Sequence, residues 1–274
     1  MDETKGGPLY KGLGKVPDRT LFAFTALIYA FLYAPILVLV IFSFNASKST
    51  QIWTGFSLHW YVDLLKEQTV LDAFRISMIV GVTSTVISTA IGTLTALALA
   101  RYRFRGKSVA DSVIYANTVM PEIVVGVSLL VFFVAVGFQL GITTIIIAHV
   151  AFNISFVTIV VRARLAGMDR SVEEAAQDLG ASPVQTFLRV TLPLILPGVM
   201  AGALLAFTLS FDDFVITFFV AGVGSSTLPL KIYSMIKFGV SPVINALSTV
   251  VLVSTMVLIL GGGRILARRQ ERAS

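Results

Sequence analysis

Residues 140–161, LGITTIIIAHVAFNISFVTIVV, contain no Asp, Glu, Lys or Arg and are followed at once by Arg162 and Arg164. An α-helix rises about 1.5 Å per residue and a bilayer's hydrocarbon layer is about 30 Å thick, so a run of this length reads as a membrane span. Working outward from it, five more such runs appear. Residues 20–47, 76–100 and 238–263 are free of acids, lysine and arginine; 112–138 is broken only by Glu122, and 190–220 only by Asp212 and Asp213. The chain is 56% hydrophobic and 13% charged, with a mean hydropathy of +0.88, more apolar surface than one soluble core can hide. Ten-residue alternating segments are absent, which excludes a barrel and leaves helices that satisfy their own backbone hydrogen bonds. The reading is an all-α integral membrane protein with six transmembrane helices.

The net charge of +6 would suggest nucleic acid in a soluble chain, but here it reads as topology. Lys5, Lys11, Lys15 and Arg19 precede the first run, and Arg101, Arg103, Arg105 and Lys107 follow the second. Arg162, Arg164, Arg170 and Arg189 follow the fourth, and Arg264, Arg268, Arg269 and Arg272 follow the sixth. These are 16 of the 21 basic residues, against Lys48, Lys66, Arg75, Lys231 and Lys237 on the other side. The excess predicts both termini in the cytoplasm, with a tail at 1–19, a membrane domain at 20–263 and a second tail at 264–274. The first run is too long for a typical signal peptide and lacks a clear cleavage site, so its retention is expected.

The longest inner segment, 162–195, carries the most specific pattern. Ser171 with Glu174 three residues on has the spacing of a capping box, Gly180 can end a short helix, and Ser182-Pro183 can begin another. Leu192-Pro193 and Pro197-Gly198 are expected to break the chain at the entry to the fifth run. Glu174-Ala175-Ala176, then Gly180, Val190 and Leu192-Pro193 at fixed spacing resemble the EAA loop of ABC importer permeases. The departure is Val190, where the family usually has isoleucine. The resemblance implies a type I (MetI-like) permease bundle in a bacterial inner membrane. It also implies a coupling helix that seats in a groove of a separate ATPase dimer, a second permease subunit, and an external solute-binding protein. The chain has no Gly-x-x-x-x-Gly-Lys-Ser/Thr loop, so the resemblance makes it a transport subunit, not an enzyme, with hydrolysis done by the partner.

Residues 43–48, 101–107, 209–213 and 228–235, with the Ser241-Pro242 and Asn245-Ala246-Leu247 passages, resemble the permeases of spermidine/putrescine importers. That resemblance covers nearly the whole chain and implies a small cationic cargo; another small organic solute is the alternative, and an ion-coupled secondary transporter is a further one. Physics adds its own argument. Glu122, Asp212 and Asp213 lie within spans, where a carboxylate costs about 2.5–3.5 kcal/mol, and such residues usually face a cavity or a partner. Ala206, Ser210, Asp213 and Thr217 share one helical face, a polar stripe that reads as pathway lining. Pro121 loosens the backbone beside Glu122. No basic residue sits at similar depth within the runs, so a transported cation is an attractive counter-charge. Trp53, Trp60, Tyr61, Phe211 and Phe214 could add cation–π walls, or could be interfacial anchors. His59 and His149 have neither metal-ligand spacing nor a neighbouring acid in sequence, no cysteine is present, and no cofactor is implied.

Overall fold

The computed structural model of the chain describes residues 18–48, 52–237 and 242–271, with side chains as far as residue 257. The basic residues Lys5, Lys11 and Lys15, the turn at Gly239 and Ser241, and the side chains of the final arginine cluster lie outside the described residues. Among the described residues every regular element is a helix, and one isolated antiparallel bridge pairs Asn45 with Phe56.

Two compact units are present. The smaller holds α1 (Asp18–Phe42), the loop after it, most of α2 (His59–Lys66) and the beginning of α12 (Pro242–Glu271). α1 leaves its apolar surface open, with Phe22 and Phe31 more than three-quarters exposed, as expected of a helix whose solvent is lipid. The loop after it is knotted around Asn45. The Asn45 side chain donates Nδ2–H to Ile52 O (2.7 Å) and accepts from Thr54 N (3.0 Å), and its backbone carbonyl accepts from Trp60 Nε1 (2.7 Å). Trp60 is thereby buried, whereas Trp53 is half exposed, edge-on to Phe42.

The larger unit contains α3 (Gln68–Arg101), α4 (Lys107–Val119), α5 (Glu122–Ala135), α6 (Ile142–Ala166), α7 (Ser171–Asp178) and α8 (Pro183–Thr186). A π-helical turn, Phe187–Thr191, leads into α9 (Leu192–Asp212), followed by α10 (Val215–Val220), α11 (Leu228–Lys237) and the rest of α12. The centre is α6, packed against both α3 and α9. Without a hydrophobic drive between helices in lipid, association relies on close contact at small residues. Val157 of α6 is the knob: a Cβ on Gly92 of α3 would come within 2.8 Å of it, and one on Gly202 of α9 within 3.4 Å. Further along α9, Gly198 lies so close to Arg164 that a Cβ would stand 2.6 Å from the arginine's own.

Among the described residues, four helical stretches are long and apolar enough to cross a membrane: Arg19–Phe42, Gln68–Arg101, Ile142–Ala166 and Pro183–Asp212. One expectation from sequence is sharpened and two are corrected. The loosening expected at Pro121 is a full break: α4 and α5 bend by 113° at Met120-Pro121, because proline lacks the N–H that would continue the ladder. The pair makes a fifth span only if taken together. The run at 190–220 stops at Asp212, where the backbone turns extended at Asp213 (ψ 125°) before α10. Conversely, Pro193 and Pro197 do not break the chain. The π turn before Leu192 widens the ladder by one residue, and Leu192 N–H bonds back to Phe187 O, so the helix passes through both prolines.

Candidate functional site: an interrupted-helix junction and a projecting helical hairpin

The two interruptions meet. α5 packs along α10, close enough that a Cβ on Gly126 would come within 2.8 Å of the Phe219 ring. Non-helical backbone at membrane depth is stable only where protein or a water-filled cavity satisfies it, and here one side chain does so. Asp213 Oδ1 accepts from Ile216 N (3.2 Å), and Oδ2 accepts from Thr217 N (2.8 Å) and Thr217 Oγ1 (2.7 Å), satisfying the first orphan donors of α10. Oδ2 also lies 3.2 Å from His149 Nε2 on α6.

His149 is buried, its Nδ1 2.6 Å from Ser210 Oγ, which is 2.9 Å from Ser84 Oγ on α3. With a proton on Nε2, His149 donates to Asp213 Oδ2, and Ser210 and Ser84 extend the polar chain from Nδ1. One polar chain thus joins α3, α9, α6 and the α9–α10 break. The stripe of Ala206, Ser210, Asp213 and Thr217 does share a side, but Ser210, Asp213 and Thr217 are turned toward His149, and Ala206 O accepts from Asn153 Nδ2 (3.2 Å). The premise that Asp213 lacks a basic partner does not hold. His149, from an apolar run 64 positions earlier, supplies one.

Glu122 and Asp212 differ from Asp213. Glu122 is the first residue of α5 and Asp212 the last of α9; both are exposed, and neither has a hydrogen-bond or ion-pair partner among the described residues. Glu122 lies near enough to Asp213 and Asp212 for their charges to act on one another. Aromatic rings adjoin them: Phe211 stacks on Phe207 and meets Phe74 edge-on, while Phe214 packs on Tyr233 at 4.7 Å. Trp53 belongs to the other compact unit.

The second feature is the hairpin of α7 and α8. Asp169, rather than Ser171, supplies the side-chain acceptor at the start of α7: its Oδ1 accepts from Ser171 N (2.9 Å), a bond that holds the Asp169 carboxyl below the usual carboxylate range. Ser171 is already the first helical residue and cannot serve as its own cap. Gly180 ends the helix at φ +87°, a conformation costing other L-residues about 1–2 kcal/mol. Ser182 and Gln185 then form the expected second helix start, with Ser182 Oγ accepting from Gln185 N and Gln185 Oε1 from Ser182 N. Val172, Ala175 and Leu179 stand exposed at helical spacing, Leu179 at 90%, and Val184 and Leu188 are exposed beyond the turn. Glu174 and Ala175 are exposed and Ala176 is half-buried. Leu192 and Pro193 begin α9.

An apolar helical body, broken helices and a projecting hairpin define the class: a membrane transport subunit. The family model "Binding-protein-dependent transport system inner membrane component" matches residues 88–272, and the chain belongs to this family. It is 43% identical over 251 residues to the spermidine/putrescine transport system permease protein PotC of Escherichia coli (strain K12), covering 92% of this chain and 95% of that one. The putrescine transport system permease protein PotI of the same strain is 44% identical over 231 residues, with 82% of each chain covered. Among solved structures, a bacterial ABC transporter involved in importing the acidic polysaccharide alginate superposes with a TM-score of 0.74 at 17% identity, covering 92% of this chain and 96% of that one. The MetNI methionine ABC transporter gives 0.61 at 19%, covering 78% and 99%. The fold is therefore that of type I ABC importer permeases.

Proposed function

We propose that this permease forms, with a second and different permease subunit, the inner-membrane pathway for a small polyamine, putrescine or spermidine, delivered by an external binding protein and driven by an ATPase dimer. The observation that carries the cargo is the identity above 40% to spermidine/putrescine and putrescine permeases over most of the chain. The fold does not set the cargo, since an alginate importer shares it. Glu122 and Asp212, exposed and unpartnered among the described residues beside the Phe211 and Phe214 rings, are suited to a passing ammonium group and its methylenes. Asp213, Ser210 and Thr217 then hold the junction open for it. Trp53 is assigned to the outer entrance.

In this reading six spans place both termini in the cytoplasm, with α12 as the sixth, and α7 lies inside. The arginine-rich inner segments support that orientation. Glu174, Ala175, Ala176 and Gly180, with Leu192 and Pro193 at the start of α9, form the coupling loop, and the apolar face of Val172, Ala175 and Leu179 supplies the surface that seats in the ATPase. ATP binding opens the pathway outward against the binding protein, and hydrolysis resets it, a rigid-body exchange without covalent chemistry on this chain.

Ligand specificity of the binding protein that co-purifies with this permease tests the cargo. A polyamine is expected, and a non-amine ligand would overturn the cargo while leaving the permease standing. Glu122→Gln with Asp212→Asn is expected to lower putrescine uptake into vesicles about tenfold, the scale of roughly one lost charge contact; uptake equal to the parent's would remove both acids from the pathway. Gly180→Val forces a β-branched residue into the left-handed region, tilting α7. ATP hydrolysis should then persist while uptake per ATP falls severalfold, and an unchanged ratio would deny the turn a role in coupling.

A further inference from the structure

The spacing of the motif singles out Glu174, yet it is Glu173 that the fold engages. Its Oε2 stands 3.0 Å from Arg101 Nε in the last turn of α3, with the two side chains 13% and 14% exposed. Its Oε1 accepts from Thr191 Oγ1 at 2.7 Å, and Thr191 is the buried final residue of the π turn that feeds α9. One residue before α7, Arg170 donates Nη2–H to Ala100 O at 3.0 Å. One carboxylate therefore ties α7 to the two long helices that flank α6, around a cavity of about 300 Å³ lined by Arg101, Arg170, Glu173, Thr186 and Thr191.

We infer that the Arg101–Glu173–Thr191 node is the clamp through which displacement of α7 reaches α3 and α9, making Glu173 a positioning residue for transport. This rests on the permease reading above. The Arg101 contact has the character of a joint. Arg101 Nε and Nη2 are buried, but neither points along a hydrogen bond, so charge attraction holds the distance while the angle is left free. Thr191, by contrast, is held directionally. The far parts of the same two helices are joined again by Ser84 and Ser210, which carry on to His149 and Asp213. A tilt of α7 thus has a route, through the ion pair, the Thr191 hydrogen bond and two long helices, to the junction where the acids sit. Glu174, exposed and with no bonded side-chain partner among the described residues, borders the same cavity.

The test uses the complete transporter, this chain with its ATPase, partner permease and binding protein, in vesicles where ATP hydrolysed and putrescine taken up are read together. Glu173→Gln keeps the size and the acceptor for Thr191 but removes the charge; hydrolysis should continue while uptake per ATP falls about tenfold. Arg101→Gln should do the same. The exchanged pair, Arg101→Glu with Glu173→Arg, should recover about half of the lost ratio, as coupled charges do in a double-mutant cycle. An unchanged ratio in Glu173→Gln overturns the clamp, and so does an exchanged pair no better than either single variant. Thr191→Val deletes one hydrogen bond at constant volume and guards against a misassembled glutamate variant. It should lose about threefold in the ratio, and a parental ratio again overturns the proposal. A parent complex that imports without hydrolysing ATP would instead overturn the permease reading itself.

Discussion

Asp213→Ala is expected to lower uptake by more than tenfold and to lower the thermal unfolding midpoint of the purified chain in detergent. The substitution strips the acceptor from Ile216 N, Thr217 N, Thr217 Oγ1 and His149 Nε2 at once. Loss of a helix cap costs about 1–2 kcal/mol, and a buried donor left without a partner about 1–3 kcal/mol. The bonds share one group, so their costs do not simply add; about 3–5 kcal/mol is the reasonable total. Water cannot repair the loss at this depth as it would on a soluble surface. Asp213→Asn keeps one carbonyl oxygen, enough for Thr217 N but not for Ile216 N as well, and should lower the midpoint by less than the alanine variant does. If the asparagine variant also transports like the parent, Asp213 is a cap alone. If it folds and binds normally but transports poorly, its charge belongs to the pathway. A parental midpoint in the alanine variant would refute the capping role.

Gly92→Leu should prevent stable folding of the α3–α6–α9 core. Any Cβ at that position meets Val157 Cβ and Cγ1 at 2.8 Å and Ile154 O at 3.1 Å, the last a backbone atom that cannot rotate away. Overpacking of this kind costs about 1–3 kcal/mol or more, and the gain in helix propensity over glycine, about 1 kcal/mol, does not offset it. The yield of monodisperse protein after extraction, and its resistance to heating, report the effect. The smaller change Gly92→Ala should be partly rescued by Val157→Ala, and failure of that rescue would place the contact elsewhere.

Much of the architecture was legible from runs of residues alone. Hydropathy located the apolar stretches, and the spacing from Glu174 to Pro193 located the hairpin, because both signals are local. What escaped was set by distance or by compensation. Asp212-Asp213 within an apolar run looks like a span with two charges; that Asp213 caps α10 and meets a histidine 64 positions earlier is not visible in the run. His149 was visible as a lone polar residue in an apolar run, but its partner was not. Pro193 and Pro197 carry the ordinary signal for a break, and the π turn that cancels it has no composition of its own. Pro121 gave the place of the bend but not its 113°. Glu173 was passed over because a motif names positions facing a partner, while Arg101 and Thr191 reach it from elements remote in sequence.

The π turn at Phe187–Thr191 also fixes an azimuth. Each residue advances an α-helix by about 100°, so one extra residue in a turn rotates everything before it by that amount relative to everything after. The side of α9 that carries Gly198, Gly202, Ala206 and Ser210 must stay against α6, which leaves the hairpin as the part whose bearing the extra residue decides. A chain one residue shorter here could thread the same core and still present Val172, Ala175 and Leu179 a quarter-turn away, toward empty solvent. The phase of this one helix, more than the chemistry of its tip, is what aims the face proposed to dock on the ATPase.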